Sequence, residues 1–204
     1  MPVKLNSTGG GSVTLTTPST ASDFTATFPA NTGDVVTTGS SAAVTPTMLS
    51  QPLTRGTAQN TTSGTSIDFT SIPSWVKLVT VVFSGVSTNG TSNYQIQAGT
   101  SGGVVATGYL GSSADGPTLT ATLFTTGIGL RTGSAAAVVH GAVVFNNVTG
   151  NTWTASGSLA RSDGAAFIST AGSITLSGTL DRIRITTVNG TDTFDAGSIN
   201  ILYE

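Results

Sequence analysis

Apolar and hydroxyl side chains alternate with a period of two over most of this chain, and no other feature restricts the fold as much. Across 12–38, Val13 and Leu15, then Phe24, Ala26 and Phe28, then Val35 recur with Thr or Ser at most positions between them. In Asp181-Arg182-Ile183-Arg184-Ile185-Thr186 the alternation is strict, which puts Arg182, Arg184 and Thr186 on one side of a strand and Ile183 and Ile185 on the other. No stretch of credible length carries a helical period. The chain holds 39 Thr, 25 Ser and 26 Gly in 204 residues, while Leu, Lys and Glu, the common helix builders, are scarce. The expected fold is all-β.

Three segments follow from the pattern. Residues 1–40 form a small β meander of about three short strands with turns at Pro18-Ser19-Thr20 and at Pro29-Ala30-Asn31-Thr32-Gly33-Asp34. So few large side chains bury too little area to offset the ordering entropy of the segment, so it needs partners, and identical copies around an axis are the simplest. Residues 41–66 lose the period and contain Pro46, Pro52 and Gly56. They read as a connector, either with a short helical turn over 46–51 capped by Thr45 or as an extended linker. Residues 67–204 offer strands at 76–86, 93–98, 104–109, 119–126, 137–148, 152–159, 165–169, 173–176, 180–188 and 198–202. This count fits an antiparallel β-sandwich or jelly roll. Asn89-Gly90, Asp163-Gly164 and Asn189-Gly190 are expected to close hairpins.

Charge narrows the function. Seven Lys or Arg and nine Asp or Glu give a formal net charge of −2, which provides no basic stripe for nucleic acid and nothing to hold an anionic membrane. No apolar run approaches the length of a membrane-spanning helix, so no membrane insertion is expected. Met1-Pro2-Val3-Lys4-Leu5-Asn6 lacks the apolar core of a signal peptide. Synthesis in a cytoplasm is therefore expected. The absence of cysteine excludes disulfides, thiolate metal sites and cysteine nucleophiles.

The supply of catalytic groups is thin, and neither catalysis nor a cofactor or metal is expected. The single His, His140, sits in Val138-Val139-His140-Gly141-Ala142-Val143 and reads as a hydrogen-bonded strand residue. Asp192 and Asp195 are the only close carboxylate pair, in an oxygen-rich loop that lacks EF-hand spacing and reads as turn chemistry. Aromatic rings can stack on the apolar faces of sugars, which makes Trp75, Tyr94, Tyr109, Trp153 and Tyr203 the candidates for a glycan platform. The parity of Trp153 with Ala155 and Leu159 places it in the core, and Trp75 reads as a plug at the end of the sandwich. Tyr94 and Tyr109, with the glycine-rich loops 101–103 and 111–116, are taken as ligand-facing. The glycine-rich stretches 9–11, 101–103 and 127–133 lack the Lys-Ser/Thr ending of a phosphate cradle and read as loops.

Two sets of residues carry a family resemblance. Gly9-Gly10-Gly11-Ser12-Val13-Thr14-Leu15, continuing through Phe28-Pro29-Ala30-Asn31-Thr32-Gly33 to Val35-Val36-Thr37-Thr38, resembles the N-terminal segments of tailed-bacteriophage fibre and other virion-surface proteins. Ser66-Ile67-Asp68-Phe69-Thr70-Ser71-Ile72-Pro73-Ser74-Trp75-Val76-Lys77 and the ending from Gly178 to Asn200 resemble the C-terminal domain of phage and prophage tail-fibre-like proteins. The resemblance implies a homotrimeric virion protein, attached to other virion proteins through its N-terminal part (residues 1–66 here). Its C-terminal β domain would project outward to bind host-surface glycan, and the family motif supplies no catalytic residues. At 204 residues the chain is short for a long fibre, which keeps a head fibre or capsid-decorating role as the alternative.

Overall fold

The computed structural model describes residues 3–6, 8–10, 12–15, 51–116 and 120–204. The chain divides into two compact units, Met1–Ala43 and Val44–Glu204. In the first, β1 (Val3–Asn6) and β2 (Ser12–Leu15) pair antiparallel, with Val3 opposite Leu15 and Asn6 opposite Ser12. The strands expected around Phe24–Phe28 and at Val35 lie outside the described residues, as does the turn expected over 46–51 apart from Gln51.

The second unit is all-β, and no helix occurs among the described residues. Two antiparallel sheets face each other across one core. The larger runs in the order β10 (Ala121–Phe124), β9 (Leu110–Asp115), β14 (Ala166–Thr175), β13 (Thr152–Arg161), β12 (Val139–Thr149), β6 (Leu78–Thr88), β16 (Phe194–Tyr203) and β3 (Thr54–Arg55), with β4 (Gln59–Asn60) also on β16. The smaller runs β11 (Ile128–Leu130), β7 (Tyr94–Thr100), β15 (Arg182–Thr187) and β5 (Ser66–Phe69), with β8 (Gly103–Val104) on β7. Pairing is nested: β6 meets β16, β7 meets β15 and β9 meets β14.

The alternation explains the core. Val79, Val81 and Phe83 of β6, Val143 and Phe145 of β12, and Ile199 and Ile201 of β16 turn inward from the larger sheet. They meet Tyr94, Ile96, Ile128, Ile183 and Ile185 of the smaller one. β-branched and aromatic side chains suit this pleated, half-buried surface. Trp75 closes one margin of the core, its ring 6.2 Å from that of Tyr203.

Where β6 crosses β16 both strands bulge, and the register slips between Phe194 and Ala196 and again between Ala196 and Ser198. Gly85 (φ +66°) and Gly197 (φ +92°) face each other there, and a Cβ on Gly197 would lie 2.3 Å from the Gly85 carbonyl oxygen. The bulge needs glycine for conformation and for space.

Several expectations are corrected. The described part of the 41–66 connector is structured from residue 54 on: Thr54 and Arg55 pair with Tyr203 and Leu202, and Gln59 with Ile199. These polar residues show no period because they complete only the margin of a sheet whose core face other strands supply. Residues 111–116, read as a loop, belong almost entirely to β9, where Gly111 lies beside Gly172 so closely that a Cβ on Gly111 would be 2.9 Å from the Gly172 Cα. Small residues here permit close strand contact. The separate strands 165–169 and 173–176 are one strand, β14, running through Gly172. Of 104–109 only Val104 is in a strand, and β11 occupies part of the glycine-rich stretch 127–133. Asn89-Gly90 and Asn189-Gly190 close no hairpins, because β6 to β7 and β15 to β16 pass from one sheet to the other. Asp163-Gly164 does close the β13–β14 hairpin.

Four arginines each meet an aspartate: Arg131 with Asp115, Arg161 with Asp163, Arg182 with Asp181 and Arg184 with Asp68. Asp163 accepts from the Arg161 guanidinium and, at 2.9 Å, from the Val138 amide, and the hydrogen bond from Arg161 is the main reason its carboxyl is held down at about 2.

Two predictions follow from the bulge and from this ion pair. Gly197→Ala lowers the unfolding free energy by about 2 kcal/mol or more, whereas Gly164→Ala, with open space around it, stays within about 0.5 kcal/mol in urea titrations. Asp163 has its pKa below the unfolded value near 3.9, so its contribution is full above that pH and is lost as the pH falls toward about 2. Discounted for solvent screening, Asp163→Asn costs on the order of 1 kcal/mol at pH 7, and thermal melts should show that difference closing between about pH 4 and pH 2.

Candidate functional site

The outer face of the smaller sheet is where the sequence places its polar side chains. Tyr94-Gln95-Ile96-Gln97 on β7 and Arg182-Ile183-Arg184-Ile185-Thr186 on β15 send their apolar members inward, and register does the rest. Arg184 stands between Gln97 of β7 and Asp68 of β5, while Thr186 stands between Gln95 and Ser66. Two polar rows thus cross three strands, because directly opposed residues of an antiparallel pair share a face.

Gln95, Gln97, Arg184, Thr186 and Ser66 of these rows floor a groove of about 320 Å³ whose walls come from Thr65, Ala106, Thr126 and the 187–190 turn. Arg184 donates through Nε and Nη2 to Asp68 at 2.7 and 2.9 Å, a fork-on-carboxylate geometry that fixes the guanidinium plane and raises the arginine pKa. Gln95 and Gln97 are 3% and 6% exposed and are pinned by Thr126. The Thr126 hydroxyl donates to Gln95 Oε1 at 2.7 Å, and Gln97 Nε2 donates to the Thr126 carbonyl at 2.8 Å. Arg184 Nη1 and the Gln97 carboxamide oxygen have no protein partner among the described residues. The groove therefore offers fixed donors and acceptors on a rigid sheet, and no aromatic ring lines it.

Tyr94 and Tyr109 are not part of it, which corrects their assignment as ligand-facing. They are 0% and 1% exposed. The Tyr109 hydroxyl accepts the Ala98 amide at 2.7 Å and donates to the Val105 carbonyl at 3.0 Å, so it holds β7 to the irregular segment after β8. Tyr94 donates to the Ala137 carbonyl at 3.4 Å and its ring lies 6.2 Å from that of Phe194. Burial pushes both phenols up to about 12. Their amphipathic character serves the core, since each ring fills it and each hydroxyl satisfies backbone that departs from the ladders. Trp153 is core, as its parity indicates, and Trp75 and Tyr203 are half-buried against it. Ser101 and Gly102 are exposed, Gly103 is half-buried at the start of β8, and Ser101 borders a second groove with Thr100, Ser177, Gly178 and Asp181.

The other candidates are tied into structural contacts. Asp192 accepts from the Ser92 amide at 2.9 Å and from Asn189 Nδ2 at 2.6 Å, and Asp195 accepts from the Ser87 hydroxyl. Asn189 Oδ1 takes the Thr191 amide, and Asn89 Oδ1 takes the Thr193 amide, so the two Asn-Gly crossings are laced to each other at one end of the sandwich. No group of three metal-ligating side chains occurs among the described residues. His140 Nδ1 lies 3.2 Å from the Gly85 amide nitrogen, whose proton it accepts, so the neutral ring carries its own proton on Nε2 and donates to Ser162 Oγ at 3.0 Å. That is the wrong tautomer to take a proton from Ser162.

The groove residues Gln95, Gln97 and Arg184 were not singled out from sequence as ligand contacts. The signal was present in the alternation on β7 and β15, but it identified a wet face without saying that the two strands are neighbours. No family model matches the chain, and neither the curated proteins nor the solved structures contain a match.

Tyr109→Phe leaves the Ala98 amide without its acceptor in the core and lowers stability by about 1–3 kcal/mol. Because the ring is buried, ligand binding at the surface should be unchanged when tested below the variant's melting temperature.

Proposed function

We propose that the chain is a bacteriophage virion protein, a tail-fibre-like subunit. In this reading it attaches to the particle through its N-terminal part and presents the C-terminal β domain to host-surface glycan. The observation that carries the binding role is the row Gln97–Arg184–Asp68, which fixes amide and guanidinium groups in an open groove on a sheet. Sugar hydroxyls both donate and accept, and neutral amides with one oriented guanidinium match them without requiring a charged ligand. Weak sites of this kind gain adhesion through multiplicity, which a homotrimer displayed in several copies on a particle provides. A binding role rather than a hydrolytic one is supported by the tautomer of His140 and by the engagement of Asp192 and Asp195 in turns. The nested pairing of β6 with β16, β7 with β15 and β9 with β14 supports a jelly-roll winding.

The test is adsorption. Gln97→Ala and Arg184→Ala should each lower binding to host-surface polysaccharide by about tenfold, the effect of losing one or two hydrogen bonds to ligand. Gold-labelled antibody against residues 67–204 should decorate the tail of intact particles. Unchanged adsorption in both variants overturns the groove as the site, and label over the head assigns the head-fibre alternative.

A further inference from the structure

The two outer faces of the sandwich differ in kind. The smaller sheet carries Asp68, Arg182 and Arg184 outward, whereas the larger sheet presents no Asp, Glu, Lys or Arg on the outer face of its six strands from β6 to β10. Register lays that face out in rows. One runs Thr80, Val144, Ser156, Ala171, Ser112, Leu123, and the next runs Val82, Ala142, Ser158, Ser169, Ala114, Ala121. The flanking rows end in Leu110, which is 72% exposed, and Phe167, which is 54% exposed, and Leu123 is 82% exposed. The row that ends in Phe167 also holds the exposed His140, and charged residues stand just beyond the field, Asp195 on β16 and Lys77, Arg55 and Glu204 at the margin.

We infer that this face is covered by a second copy of the same chain. Two charge-free surfaces can be apposed with no like charges opposite each other, and side chains as small as Ala, Ser and Thr let two sheets approach to the usual ~10 Å. Six strands at ~4.8 Å by four rows at ~6.7 Å give about 770 Å² on each copy, which reaches the range of a stable interface when both sides are counted. A glycan or a charged macromolecule finds neither an aromatic platform nor a fixed charge across these rows. A second copy meets complementary chemistry and covers the individually exposed Leu110, Leu123 and Phe167. The inference rests on the face itself: two such faces apposed make a two-fold contact between copies, distinct from the three-fold association of the proposed assembly.

The test uses the full-length chain in analytical ultracentrifugation. The wild type should sediment as a multiple of 20.3 kDa, and Ser156→Arg/Ala171→Arg, which places charge at the centre of the face, should sediment at the single-chain mass while still melting in one cooperative transition above the temperature of the run. A second readout uses the absence of cysteine: a spin label at Ser158→Cys should show dipolar coupling to its copy, while a label at Ser66→Cys on the opposite face should not. A wild type that stays at the single-chain mass up to its solubility limit overturns the inference. So does a double variant that keeps the wild-type mass, since the copies are then held elsewhere. The virion reading is judged separately, by the antibody label on particles.

Discussion

Pairing of the first long strand with the last holds the sandwich together. β6 is central in the larger sheet, with β12 on one side and β16 on the other, and β16 in turn carries β3 and β4. The unit therefore cannot complete its sheet until its final ten-residue strand is in place. Long-range pairing of this kind is slow to form because loop closure precedes any gain from contact. Once formed, it gives each half of the nested winding a neighbour from the other half, and β7 is placed beside β15 by the same closure. The groove is a consequence of this arrangement. Arg184 stands beside Gln97 and bonds Asp68 only because residues far apart in sequence are brought into adjacent register.

Polar chemistry is distributed by the same logic. Four of the five arginines of this weakly charged chain are paired with an aspartate, and each pair lies at a strand end, a turn or the polar sheet face. Neutral hydroxyls and amides do the remaining work: Thr126 orients both glutamines, Thr61 ties the edge to Ala196, and Asn89 and Asn189 lace two crossings. Such bonds contribute about 1 kcal/mol each but are costly to leave unmade when buried, so they specify arrangement more than they add stability.

The fold class was readable from alternation alone, and β6, β12, β13, β15 and β16 stand close to where the periodicity puts them. Failures gathered where small residues dominate. Gly111 and Gly172 resemble loop residues in sequence, yet they sit inside strands because their lack of side chain lets two backbones approach. Asn-Gly pairs signal a turn but not its destination, and here they lead between sheets rather than back along one. Tyr94 and Tyr109 were misplaced because a tyrosine looks the same in sequence whether its hydroxyl meets water or buried backbone. The groove was half visible, since the wet faces of β7 and β15 could be read strand by strand but their adjacency could not.

One feature of the margin bears on how the unit responds to force. The chain enters the larger sheet at Thr54–Arg55, directly beside the strand that ends it, and the entering strands hold only two residues each. Tension arriving from the N-terminal side loads these short ladders end by end. The run from residue 54 to 65 would peel and lengthen before strain reached β6, whose eleven residues are flanked on both sides. A load applied from that side would thus meet a compliant segment first and a stiff body second.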